Sequence, residues 1–107
     1  MSSTTVPIKT GPNSRDTPFY SYANITTTAT TLVKTGGGFL HAITFNKPVA
    51  TGTVKIDDAI TDTTPVIGTV TTPASPQPFT LVYDIEFTTG LTIVTGTAAQ
   101  DITVSYL

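Results

Sequence analysis

The stretch Phe79-Thr80-Leu81-Val82-Tyr83-Asp84-Ile85-Glu86-Phe87 decides the fold class. Phe79, Leu81, Tyr83, Ile85 and Phe87 fall on one side of an extended chain, and Thr80, Val82, Asp84 and Glu86 on the other. A period of two with aromatic and β-branched residues on one face predicts a strand that turns that face to a core. Pro-rich Thr72–Pro78 precedes it as a loop, and Thr88-Thr89-Gly90 follows it as a turn.

The same grammar extends outward in both directions. Strands are expected over Tyr20–Thr28, Thr31–Lys34, Phe39–Phe45, Thr53–Asp57, Pro65–Thr71, Leu91–Thr95 and Ile102–Tyr106. Val54 and Ile56 face the core, with Lys55 and Asp57 opposite. Ile102, Val104 and Tyr106 likewise oppose Asp101, Thr103 and Ser105. Gly36-Gly37-Gly38 reads as a hairpin turn, and Gly68 as a candidate bulge. Phe39-Leu40-His41-Ala42-Ile43 is apolar on both faces, so that strand is central or meets another chain. No ten-residue segment carries a 3.6-residue period. About eight short strands with loops every eight to twelve residues predict an all-β domain, an antiparallel β-sandwich or small jelly-roll-like barrel.

The chain has 107 residues, enough for one domain, here residues 19–107. Residues 1–18, with Pro7, Pro12 and Pro18, read as an extended N-terminal arm. The arm is either a solvated tail or a segment that orders against a partner. Thr supplies 26 residues and charged residues only 11%, against roughly 25% in an average soluble domain. A surface of Thr, Ser and Ala suits close contact with protein, since little charge must be desolvated there. The other reading is that the hydroxyls keep the domain soluble. The net charge is −2, and the five basic residues form no stripe, so no nucleic-acid partner is expected. No apolar run reaches a membrane span, and the start has no signal-peptide pattern, so no membrane partner is expected either.

Candidate chemistry is sparse, and no catalytic, cofactor-binding or metal-binding residue is assigned. His41 is the single histidine, and no Gly-x-Ser-x-Gly elbow accompanies it. It reads as a structural or interface residue. One His and no Cys leave little for zinc. Asp57, Asp58 and Asp62 read as turn-capping residues, because their spacing fits no EF-hand loop. Asp84 and Glu86 read as a solvated strand face rather than an acid–base pair. Asn24-Ile25-Thr26 matches a glycosylation sequon but has no secretory context. Phe19, Tyr20 and Tyr22 could stack on a sugar or a base, as aromatic platforms do; the reading preferred here is that they pin the first strand to the core.

Three segments carry a resemblance. Tyr20-Ser21-Tyr22-Ala23-Asn24-Ile25-Thr26-Thr27 leads through Val33-Lys34 and Gly36-Gly37-Gly38 to Leu40-His41-Ala42-Ile43-Thr44. Tyr83-Asp84-Ile85-Glu86-Phe87 lies at the centre. Gly90-Leu91-Thr92-Ile93-Val94-Thr95-Gly96-Thr97 and Asp101-Ile102-Thr103-Val104-Ser105-Tyr106 end the chain. Together they resemble small structural proteins of tailed-bacteriophage virions. Size and the single β-domain look most like a capsid decoration, or cement, protein. The resemblance implies a non-enzymatic protein, often a homotrimer, made in the bacterial host cytoplasm and bound to the capsid surface of the virion. Its partners would be the major capsid protein and further copies of itself. A head-fibre base, neck or tail component shares the same strand grammar, and a small carbohydrate-binding module is the alternative outside virions. No site residue transfers by motif. The interface expected from the arm and the apolar strand comprises Val6, Pro7, Ile8, Pro12, Arg15, Phe19, Tyr20, Tyr22, Leu40 and His41.

Overall fold

In a computed structural model, residues 19–107 are described, and they form eight β-strands. In chain order these are β1 (Ser21–Ile25), β2 (Thr30–Thr35), β3 (Gly38–Lys47), β4 (Thr53–Asp57), β5 (Val66–Thr71), β6 (Phe79–Phe87), β7 (Gly90–Gly96) and β8 (Asp101–Tyr106). They make two four-stranded antiparallel sheets, ordered β1-β8-β3-β6 and β2-β7-β4-β5.

One pairing rule generates this order. Ser21 faces Tyr106, Thr30 faces Val94, Phe45 faces Phe79 and Thr53 faces Thr71. As one partner advances along the chain, the other retreats in near step. The chain is therefore one long folded hairpin with its tip between β4 and β5, rolled so that successive strands alternate between sheets. The β3–β8 and β4–β7 ladders seal the roll. This is a jelly roll, and it settles sandwich over closed barrel. The β4–β5 connection is the one that stays within a sheet. Gly36-Gly37-Gly38 is thus no hairpin turn: it carries the chain from β2 in one sheet to β3 in the other.

Alternation explains the core. Ile25, Leu40, Ile43, Phe45, Phe87, Ile102 and Val104 of one sheet meet Val54, Ile56, Leu91 and Ile93 of the other in one buried cluster. Branched and aromatic side chains suit the pleated surface that such sheets bury. Phe45 and Phe79 stack with ring centroids 4.4 Å apart, which locks β3 to β6 on the inner face. The central position expected for the Phe39–Ile43 segment is the one observed, with β3 between β8 and β6.

The inner face of β6 is less covered than its alternation predicts. Phe79, Leu81 and Tyr83 are half-buried, and Ile85 is 36% exposed. β6 lies at a sheet edge, where the facing sheet ends. Tyr83 reaches across to β5, where a Cβ at Gly68 would lie 3.0 Å from its hydroxyl. The bulge foreseen at Gly68 falls one residue earlier, at Ile67, opposite the Ile56/Asp57 step.

Asp57 also departs from expectation. It is fully buried rather than facing solvent. The β4–β5 connection folds back over it, with Thr92 Oγ1 donating to the Ala59 carbonyl at 2.7 Å. Lys55 Nζ reaches Asp62 at 2.6 Å and Asp57 at 3.4 Å, so its ammonium supplies the charge that a buried aspartate needs.

Candidate interaction surface

The outer face of β1-β8-β3-β6 carries the chemistry singled out in the sequence. Register places Tyr22, Ser105 and Ala42 in one row, and Asn24, Thr103, Thr44 and Thr80 in the next. Val82 pairs with Ala42 and ends the first row, 63% exposed, while Tyr22 at the other end is 74% exposed. Between them Ser105 is half-buried and Ala42 is buried. Thr44 and Thr80 share a hydroxyl hydrogen bond of 3.0 Å.

His41 reaches this face through a paired irregularity. Between Leu40 and Ala42, β3 holds one residue more than β8, and β6 holds one more than β3. Leu40 and Ile43 both join the core, so His41 and Ala42 lie off the core side. Asp84 takes up the extra residue of β6 with φ 50, a left-handed conformation that Asp tolerates. Its Oδ1 lies 2.5 Å from His41 Nδ1. Asp84 meets the edge of the imidazole, and one face of the ring is covered by Tyr20, stacked at 4.3 Å and 5° between planes. Tyr20 also lies over Phe39 at 6.4 Å.

A second network stands beside it. Asn24 Nδ2 donates to Asp101 Oδ1 at 2.7 Å, and Asn46 Nδ2 to the same oxygen at 3.1 Å and to Thr103 Oγ1 at 2.9 Å. The Asn24 amide, then that of Asn46, hold the Asp101 carboxyl below its usual value, with Lys47 adding to them against a small desolvation effect.

These placements revise several expectations. Leu40 is 0% exposed and offers no surface for an interface. Phe19, Tyr20 and Tyr22 do not pin β1 to the core: Phe19 is 52% exposed, Tyr22 stands free, and Tyr20 packs on the outside of the sheet. His41 is half-exposed and accessible at this face. Val6, Pro7, Ile8, Pro12 and Arg15 lie outside the described residues. Asp84 gains a specific partner 43 residues away, for which the local sequence carries no signal.

Asp58 caps a distant turn rather than its own. Its carboxylate accepts from the Thr88, Thr89 and Gly90 amides at 2.8–3.4 Å and from the Thr88 hydroxyl. Burial pushes the Asp58 carboxyl up, but these donors outweigh it and hold the group below its ordinary value.

Chemically, the face can stack, donate and accept hydrogen bonds, and bury modest apolar area. Asp84 on His41 Nδ1 has the arrangement of the base and orienting acid of a hydrolytic triad, but among the described residues no hydroxyl is hydrogen-bonded to the ring. Among the described residues no group of three or more His, Asp or Glu is poised to hold a metal ion, and no helix is long and apolar enough to cross a membrane. No protein-family model, curated protein or solved structure matches the chain.

Proposed function

We propose that this chain is a non-enzymatic structural protein of a tailed-bacteriophage virion. In this reading it binds the outer surface of the head as a homotrimer and bridges neighbouring major capsid subunits. The observation that carries the reading is the outer face of β1-β8-β3-β6. It presents Tyr22 and Val82 at the two ends of a row through Ser105, beside the hydroxyls of Thr44, Thr80 and Thr103, an uncharged surface suited to protein contact. The resemblance of the strand-and-turn segments to virion proteins adds to it. A jelly roll is shared by capsid domains, lectins and cupins, so the fold itself does not choose among them.

The mechanism is mass action. Packed DNA presses outward on the shell, and a protein that binds the expanded lattice alone stabilises that state by its binding free energy. Linking several attachment points through a trimer raises avidity without new contacts. Low charge density keeps the desolvation cost of lateral contact small.

The test is co-sedimentation with purified capsids in unexpanded and expanded forms. Saturable binding to expanded capsids, weakened about tenfold or more by Tyr22→Asp, is the expected result. Equal binding to both forms, or none to either, contradicts the proposal.

One observation favours a second reading. Exposed Tyr22 beside the Asn24–Asp101–Asn46 network has the composition of a sugar platform, with a ring to stack on and amide oxygens to accept from hydroxyls. Glycan-array binding that is lost in Tyr22→Ala would establish it.

A further inference from the structure

Asp57 is fully buried, and among the described residues neither of its carboxylate oxygens accepts a hydrogen bond. A carboxylate left that way is costly unless water or a cation completes its surroundings. The polar groups around it are committed elsewhere. Thr92, its neighbour on β7, gives its hydroxyl to the Ala59 carbonyl at 2.7 Å. Lys55 Nζ stands 3.4 Å from Asp57 Oδ1, long for a hydrogen bond, and makes its short contact, 2.6 Å, with Asp62 Oδ1.

Oxygens of three residues therefore converge on one point. Asp57 Oδ1, Asp62 Oδ1 and the Thr63 carbonyl lie 3.4, 2.6 and 3.4 Å from the Lys55 nitrogen. Asp57 Oδ2 is a further acceptor without a partner. The set is all oxygen, the donor type of hard cations. Asp58 takes no part, because its carboxylate caps the Thr88–Gly90 turn. The ammonium marks the point as one that holds positive charge. It leaves one of the two carboxylate charges unbalanced, whereas a divalent ion would balance both.

We propose that this point is a calcium site, in which Ca²⁺ exchanges with the Lys55 ammonium. Ca²⁺ takes about six to eight oxygens at roughly 2.3–2.6 Å in a flexible shell. Both oxygens of Asp57, the carboxylate of Asp62 and the Thr63 carbonyl supply the protein's share, and water supplies the rest. Asp62 and Thr63 belong to the β4–β5 connection and draw inward by about an ångström to close on the ion. Mg²⁺ fits less well, because it demands a near-regular octahedron and gives up its waters reluctantly. The Lys55 and Asp62 side chains are 30% and 48% exposed, so the ammonium leaves and the ion enters from the solvent side. Displacing the ammonium offsets part of the gain, and the expected Kd is roughly 10⁻⁴–10⁻³ M. Bound calcium ties the β4–β5 connection to β4. The site lies on the sheet β2-β7-β4-β5, away from the proposed capsid face, so either reading can fail alone.

The test is calorimetric titration and thermal melting of the full chain after metal is stripped with a chelator. CaCl₂ at about tenfold excess over Kd should raise Tm by about 5 °C or more, and MgCl₂ or NaCl at equal ionic strength far less. Lys55→Met removes the competing cation and should bind Ca²⁺ about tenfold more tightly. Asp62→Asn, a change at an exposed carboxylate that the fold tolerates, should bind about tenfold more weakly. A natural chain that gains no calcium-specific stability overturns the proposal, as does equal stabilisation of Asp62→Asn. Binding by Lys55→Met alone also overturns it, since the ammonium would then never yield its place.

Discussion

Gln100→Ala should destabilise the domain more than its place in a short connection suggests. Gln100 is 4% exposed, and its Oε1 accepts from the Val49 amide at 2.8 Å and the Thr72 hydroxyl at 2.9 Å. One side chain thus ties together the β3–β4, β5–β6 and β7–β8 connections at one end of the roll. It fits because residue 52 is Gly: a Cβ there would collide with the Gln100 amide. Truncation leaves the Val49 N–H and the buried Thr72 hydroxyl without an acceptor, at about 1–1.5 kcal/mol each. Removing the Gln100 Nε2, which is buried and unpartnered, returns part of this. The net expectation is about 2 kcal/mol, or roughly 8–16 °C in Tm for a domain this small. Urea unfolding and calorimetry measure it. A cycle with Thr72→Val should show coupling of about 1 kcal/mol, because both changes break the same bond. A loss under about 0.5 kcal/mol, or strict additivity, would refute the reasoning.

Three further outcomes follow from named contacts. In the glycine run, Gly38→Ala should cost about 3 kcal/mol or more, since a Cβ there meets the Leu107 carbonyl and the Phe87 ring. Gly36→Ala, at φ 87 with open space around it, should cost about 1 kcal/mol, and Gly37→Ala less; chemical denaturation ranks them. Asp58 has a lowered folded-state pKa, so its contribution is present above its ordinary value of 3.8 and is lost as pH falls through the lower folded value. Asp58→Asn should flatten that part of a Tm-versus-pH curve between pH 5 and 2. Lys55→Met should lower Tm by stranding buried Asp57, and Lys55→Met with Asp57→Val should recover more than half of the loss, as judged by thermal melts.

Period-two alternation made the fold class legible, because a strand with one buried face must alternate. Val54, Ile56, Ile102, Val104, Phe79 and Phe87 all turn inward as that pattern requires. A jelly-roll-like arrangement was expected and is found, but the choice of sandwich over barrel and the order of the strands were not legible. Whether a Gly-rich turn closes a hairpin or changes sheets depends on which long-range ladder captures the next strand, and Gly36-Gly37 permits both. The outer face was half legible. Tyr20 and His41 stand out by residue type, but their stacking and the Asp84 bond depend on coupled irregularities in β3 and β6 that no local pattern marks. Asp57 misled for a related reason: alternation assigns a face but not what folds over it, and the β4–β5 connection covers that face.

The central claim is that this jelly roll occupies repeated sites on a phage head. It is tested most directly by counting its copies against the major capsid protein in purified virions, by quantitative mass spectrometry. The account predicts one copy per capsid subunit or a simple fraction of that. A handful of copies per particle, or none, would contradict it.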